Sequence, residues 1–195
     1  MRVLFALAYL GLAACRAQRI VPSAAVPLPD VESYAIYSEV IDSLFLQRRS
    51  APITVVDSTI LQPPVRLSPT GPLARMLDSA APGLTEALAA AGRTQIRLRP
   101  AFGVAGEVAV MPRAETAAGA RRSPAGRDAA DPTRRYPGAG IVSFSAIGFA
   151  PDQRTAALYA EHLCGPLCGG GYVVVLARGS GGRWQIRSVS PGLRF

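Results

Sequence analysis

Read from its amino end, the chain changes pattern several times. Val3 to Leu12 is an almost unbroken apolar run of about ten residues behind Met1-Arg2. A helix needs roughly 20 apolar residues to cross a hydrocarbon core of about 30 Å, so this run is too short to span and has the proportions of the central region of a secretory signal. Residues 16–29 hold Pro22, Pro27 and Pro29 among small side chains and predict a flexible tether, with a reach of about 20 Å on random-coil scaling. From Asp30 the apolar residues Val31, Tyr34, Tyr37, Val40, Ile41, Leu44 and Phe45 recur at three- and four-residue steps. That spacing predicts one amphipathic helix whose stripe, tyrosines included, faces a core. Asp30 suits its N-cap, Glu32 the positive end of the dipole, and Arg48 and Arg49 the negative end, before Pro52 prevents continuation.

Ile53 to Ile60 is rich in β-branched residues and predicts a strand. A connection with Pro63, Pro64, Pro69 and Pro72 leads to two short helices, around Leu73 to Ser79 and around Gly83 to Ala91, the second closed by Gly92. Gln95 to Arg99 alternates like a strand with one wet face, and Glu107 to Met111 predicts a further short strand. Pro112 to Gly138 has no periodic apolar face; Arg113, Arg121, Arg122, Arg127, Arg134 and Arg135 lie there among Ala, Gly and Pro. A long mobile loop at about 112–138 is expected, either simply solvated or serving as an anion-binding arm. Ile141 to Phe149, Thr155 to Cys164, Tyr172 to Arg178 and Trp184 to Val189 all suit strands, with turn residues between them. Short connections favour an antiparallel meander. The expected architecture over 30–195 is a single α+β domain, a curved antiparallel sheet packed on the long N-terminal helix; by analogy, a cystatin-like or NTF2-like cone.

Composition narrows the chemistry. Among 195 residues there are 21 basic and 13 acidic side chains, a formal charge of +8, and every basic one is arginine; asparagine is also absent. Without lysine there is no Walker phosphate loop, no Schiff base and no Ser-x-x-Lys hydrolase. The lone histidine, His162, excludes a multi-histidine metal site and a His-Glu-x-x-His helix. Ser180 lies in Gly-Ser-Gly, which is not the nucleophile-elbow pattern. Asp57 and Glu161 form one of many carboxylate pairs that 13 acids offer. The positive charge alone would point to nucleic acid, but an exported protein rarely meets any, and arginine in place of lysine fits a base-composition bias. An anionic envelope lipid or polymer, or another envelope protein, is the expected partner.

Leu12-Ala13-Ala14-Cys15 resembles the bacterial lipobox at all four positions. The resemblance implies that residues 1–15 comprise a signal peptide and a cysteine, Cys15, that is diacylated and becomes the mature N-terminus. Two or three acyl chains would hold the protein stably at a membrane surface without spanning it. Arg16, where an aspartate would signal retention, implies outer-membrane sorting if the source has two membranes. Further along, Tyr136-Pro137-Gly138, Ile141 to Phe149, Ala156-Ala157-Leu158-Tyr159, Cys164-Gly165-Pro166-Leu167-Cys168-Gly169-Gly170-Gly171-Tyr172 and Arg183-Trp184 resemble a group of uncharacterised bacterial secreted proteins and lipoproteins. That resemblance implies an address and no activity.

Cys164 and Cys168 flank Gly-Pro-Leu, with His162 two residues upstream. In an oxidising compartment the pair most simply forms a disulfide that clasps a turn, Cys15 being consumed by acylation. A thiol-redox site is a second reading, although one residue too many separates the cysteines for a thioredoxin-like motif and the glycines oppose a helix. A third is a soft metal site in which His162, Cys164 and Cys168 hold copper or zinc. Cys-x-x-x-Cys resembles the copper motif of Sco-type assembly proteins, but Gly169 stands where that family has proline. The expected function is a lipid-anchored, non-enzymatic binding or structural domain of the envelope without a cofactor; its rival is the metal or redox site.

Overall fold

In the computed structural model, which describes residues 30–46, 51–61, 71–120, 138–165 and 168–194, the first helix begins where the apolar pattern places it. Helix α1 spans Val31–Val40, and the Asp30 Oδ1 accepts the Ser33 N–H at 2.7 Å. The helix runs on as a π-helical stretch, Ile41–Leu46. Its stripe is buried at Ile36, Tyr37, Val40, Ile41 and Phe45. The expected signal and tether, Cys15, Arg48, Arg49 and most of the proline-rich connection lie outside the described residues.

The remaining elements are β1 (Ile53–Val56), α2 (Pro72–Ala80), α3 (Leu84–Ala91), β2 (Val108–Met111), α4 (Arg113–Ala120), β3 (Ile141–Phe144), β4 (Gly148–Phe149), β5 (Thr155–Gly165), β6 (Cys168–Arg178) and β7 (Trp184–Arg194). The fold is α+β, with one open, curved, seven-stranded sheet in the order β2-β1-β3-β5-β6-β7 and the short β4 beside β5. From β3 to β7 neighbours are antiparallel, as the short connections require. At the other edge β1 pairs parallel with both β2 and β3, which corrects the all-antiparallel expectation. Chain separates β1 from each of these partners, so no tight turn dictates the direction of pairing.

Three further expectations change. Gln95 to Arg99 does not form a ladder and contributes an isolated bridge, Ser58 to Arg97. Ile141 to Phe149 is split into β3 and β4 around Ser145. The expected mobile loop at 112–138 opens as helix α4; residues 121–137 of it lie outside the described residues. The cap of α4 explains the difference, because Asp57, distant in sequence, accepts the Arg113 N–H at 2.9 Å.

Both faces of the sheet are covered. Alternate residues Ala156, Leu158 and Ala160 of β5, with Val174 and Leu176 of β6, pack on α1. The intervening Ala157, Tyr159, Val173 and Val175 pack on Leu77 of α2 and Leu84 and Leu88 of α3. A helix layer on each side buries every residue from Thr155 to Ala160. The space between α1 and the sheet is filled, by Tyr37 and Phe144 at its centre with ring centroids 4.8 Å apart. Ser145, in the break between β3 and β4, joins the layers: its N–H donates to the Tyr159 carbonyl at 2.8 Å, its Oγ accepts the Tyr159 N–H at 2.9 Å, and its carbonyl accepts from the Tyr37 hydroxyl at 3.0 Å. Glu32 ties α1 to the far strands, pairing with Arg178 and accepting the Trp184 Nε1–H at 3.2 Å. Among the described residues no helix is long and apolar enough to cross a membrane.

Candidate functional site

The hairpin β5–β6 carries the cysteine–histidine constellation at its far end. Its register pairs Glu161 with Gly171, His162 with Gly170 and Leu163 with Gly169, then slips before Gly165 meets Cys168. The glycine run therefore belongs to strand β6, which starts four residues earlier than the apolar pattern suggests. Cys164 and Cys168 are joined as a disulfide across this end, with Cα atoms 5.1 Å apart, inside the usual range for such bridges. The imidazole of His162 lies on the α1 side of the sheet, 4.9 Å from the Phe45 ring centroid. Its Nε2 is 2.7 Å from the Ala139 carbonyl oxygen, an acceptor, so Nε2 carries the hydrogen. Gly140 makes that approach feasible: at φ +113° it adopts a left-handed conformation, and a Cβ there would stand 2.6 Å from Nε2.

Sequence placed His162, Cys164 and Cys168 together, and the fold keeps them on neighbouring residues of one hairpin end, but their donor atoms are engaged elsewhere. Both sulfurs are in the bridge, and Nε2 faces a carbonyl. Among the described residues no group of three or more His, Cys, Asp or Glu side chains is placed to hold a metal ion. The bridge closes a very small loop, for which chain entropy gives about 2 kcal/mol. The double variant Cys164→Ser, Cys168→Ser is expected to lose about that much stability in chemical denaturation, with little change in far-ultraviolet circular dichroism.

A second polar group occupies the opposite face of the same strands. Tyr159 and Glu161, two apart on β5, point to that face, where Gly171 of β6 lies opposite Glu161. The Tyr159 ring reaches across Gly171, whose missing Cβ leaves room for the phenol oxygen, and its hydroxyl donates to Glu161 Oε1 at 3.3 Å. Beside Glu161 a cavity of about 200 Å³ opens, floored by Ser143 and Ile141 of β3 and roofed by Arg113 and Thr116 of α4. Arg113 is anchored twice, by its N–H on Asp57 and by a guanidinium donor 3.2 Å from the Thr59 carbonyl.

Burial raises the Glu161 carboxyl above its ordinary 4.5, opposed by the Tyr159 hydrogen bond and the positive charge of Arg113. Burial, then the neighbouring Glu161, likewise raises the Tyr159 phenol. A carboxyl whose pKa is raised by folding stabilises the fold below its unfolded value and loses that contribution as pH rises through the folded value. Glu161→Gln should therefore gain on the wild type between pH 4 and pH 8 when the two are compared by urea denaturation; a difference that does not change with pH would contradict this placement.

Glu161 appeared in the sequence only as half of a carboxylate pair with Asp57. The fold separates their roles, since Asp57 caps α4 and borders a different depression lined by Arg97, Arg99 and Pro112. A broader open groove of about 690 Å³ runs between α1 and the β6–β7 turn, past Glu39, Asp42 and Arg183. Its inner polar atoms are already partnered: Ser38 Oγ accepts the Gly103 N–H and the Tyr34 hydroxyl accepts the Arg99 N–H. The Glu161 cavity is thus the better-built site, and nothing local in the sequence marks it, because Arg113 and Glu161 are 48 positions apart. In comparisons with known proteins, no family model, no curated protein and no solved structure matches the chain.

Proposed function

We propose that this chain is an exported, lipid-anchored domain of a bacterial envelope that binds a partner rather than transforming it. Acylated Cys15 fastens it to a membrane surface, the outer membrane in a diderm cell, and residues 16–29 space the folded part from that surface. The observation that carries the reading is the four-residue match Leu12-Ala13-Ala14-Cys15 directly behind a short apolar run. The bonded Cys164–Cys168 pair supports it, since such bridges persist in oxidising exteriors and are rare in reducing cytosol. The charge of +8, all arginine, suits an anionic envelope lipid or polymer as the counter-surface.

Cell fractionation of the full chain tests the anchor. The wild type is expected in the membrane fraction, and Cys15→Ser in the soluble exported fraction; a distribution unchanged by the substitution would overturn it. Thiol titration tests the compartment and the rival chemistry together. Neither Cys164 nor Cys168 should react until reductant is added. Two reactive, low-pKa thiols or stoichiometric copper or zinc in the purified protein would instead establish a metal or redox site at His162, Cys164 and Cys168.

A further inference from the structure

The cavity beside Glu161 has an unusual charge arrangement. A carboxylate and a guanidinium line the same small space, and Arg113 is close enough to lower the Glu161 pKa, but the two are not joined as an ion pair. Each is fixed from behind rather than by the other. Tyr159 donates to the Glu161 carboxylate and the Thr59 carbonyl accepts from the Arg113 guanidinium, while Asp57 holds the Arg113 backbone N–H. Two opposite charges that line one gap, each with a hydrogen-bond partner other than the other, suit a guest that carries both charges itself.

Simpler guests fit less well. A lone anion attracted by Arg113 meets the Glu161 carboxylate, and a lone cation attracted by Glu161 meets the guanidinium. Among the described residues, a metal ion finds one carboxylate beside a positive charge. Size narrows the choice again: a space of about 200 Å³ lies below the roughly 300 to 1,000 Å³ of pockets for drug-sized ligands and so suits a small guest. Ser143, directly opposite Glu161 across β3 and β5, adds a hydroxyl to the floor.

We propose that this cavity binds a free, small α-amino acid, its ammonium group on Glu161, its carboxylate on Arg113 and a polar atom on the Ser143 hydroxyl. The proposal deepens the binding role proposed above by naming a ligand class, but it does not depend on acylation, so the anchor and the ligand can fail separately.

The test is calorimetric titration of the full-length protein in detergent with glycine, L-alanine, D-alanine and L-serine. Methylammonium chloride and sodium acetate serve as probes that carry one charge each. At least one amino acid should bind saturably and at least tenfold more tightly than either single-charge probe. Glu161→Gln and Arg113→Gln should each weaken that binding at least tenfold. Arg113→Gln also removes an anchor of α4, so Ser143→Val provides an independent check: a β-branched residue suits the strand while its methyl groups fill the cavity. A folded Ser143→Val protein, with melting temperature near that of the wild type, should lose binding. Absence of saturable binding for all four amino acids would overturn the proposal. So would acetate or methylammonium binding as tightly as the amino acids, or binding undiminished in folded Ser143→Val.

Discussion

Replacing Tyr37 by alanine is expected to cost about 4 kcal/mol in urea denaturation, the range seen when a buried aromatic is truncated. Tyr37 is fully buried at the centre of the layer between α1 and the sheet, and its ring rests on Phe144. Its hydroxyl donates to the carbonyl of Ser145, the residue that also binds the backbone of Tyr159 on β5. Alanine would leave a void and an unsatisfied carbonyl in one step. Tyr37→Phe isolates the second effect and should cost about 1 to 2 kcal/mol. Burial raises the Tyr37 phenol well above its ordinary 10.0, so the wild type should lose stability as pH climbs past that value, and Tyr37→Phe should not share this loss. A total loss below about 1 kcal/mol for Tyr37→Ala would mean that the helix–sheet layer is not the main core.

Gly148→Ala should be nearly as damaging, at about 3 kcal/mol, because one added methyl has nowhere to go. Strand β4 approaches helix α3 so closely that a Cβ on Gly148 would stand 2.5 Å from the Leu88 Cα. The obstacle is helix backbone rather than the tip of a flexible side chain, so relief requires α3 itself to move. That movement would pull Leu84 and Leu88 away from Ala157, Tyr159 and Val175. Hydrogen exchange should accordingly accelerate in α2 and α3 more than in β5 and β6. Unchanged exchange in the two helices, at full stability, would refute the contact.

Which parts of this fold could be read from the sequence follows from the range of the interactions involved. The α1 stripe and the C-terminal hairpins are specified locally: apolar spacing buries Ile36, Tyr37 and Val40, and turn residues such as Asp152, whose carboxylate accepts the Arg154 and Thr155 N–H groups, close the strands. The parallel pairing of β1 with β2 and β3 is not, because nothing near Ile53 in the chain selects Val108 or Ile141 as a neighbour. Helix α4 was hidden for the same reason. Arg113 to Ala120 has no apolar face, and its N-terminal N–H is satisfied by Asp57 from 56 positions away. Thr155 to Ala160 read correctly as a strand, but its alanines do not announce that a helix layer covers each face. The cysteine pair was legible because its members stand only four positions apart. The Glu161 cavity was not, since it exists only once α4 settles over β3 and β5.

The dependence of α1 on Phe144, Leu158, Val174, Leu176 and Trp184 has a consequence for how the molecule is made. A nascent chain emerges amino end first, so the apolar stripe of α1 has no sheet to rest on until nearly the whole polypeptide is out. Strand β1 is in the same position, awaiting Ile141 and Val142. A truncated product ending before residue 140 should therefore stay unfolded rather than form half a domain. Until β7 has been made, the polypeptide therefore lacks part of the surface on which its first helix is buried.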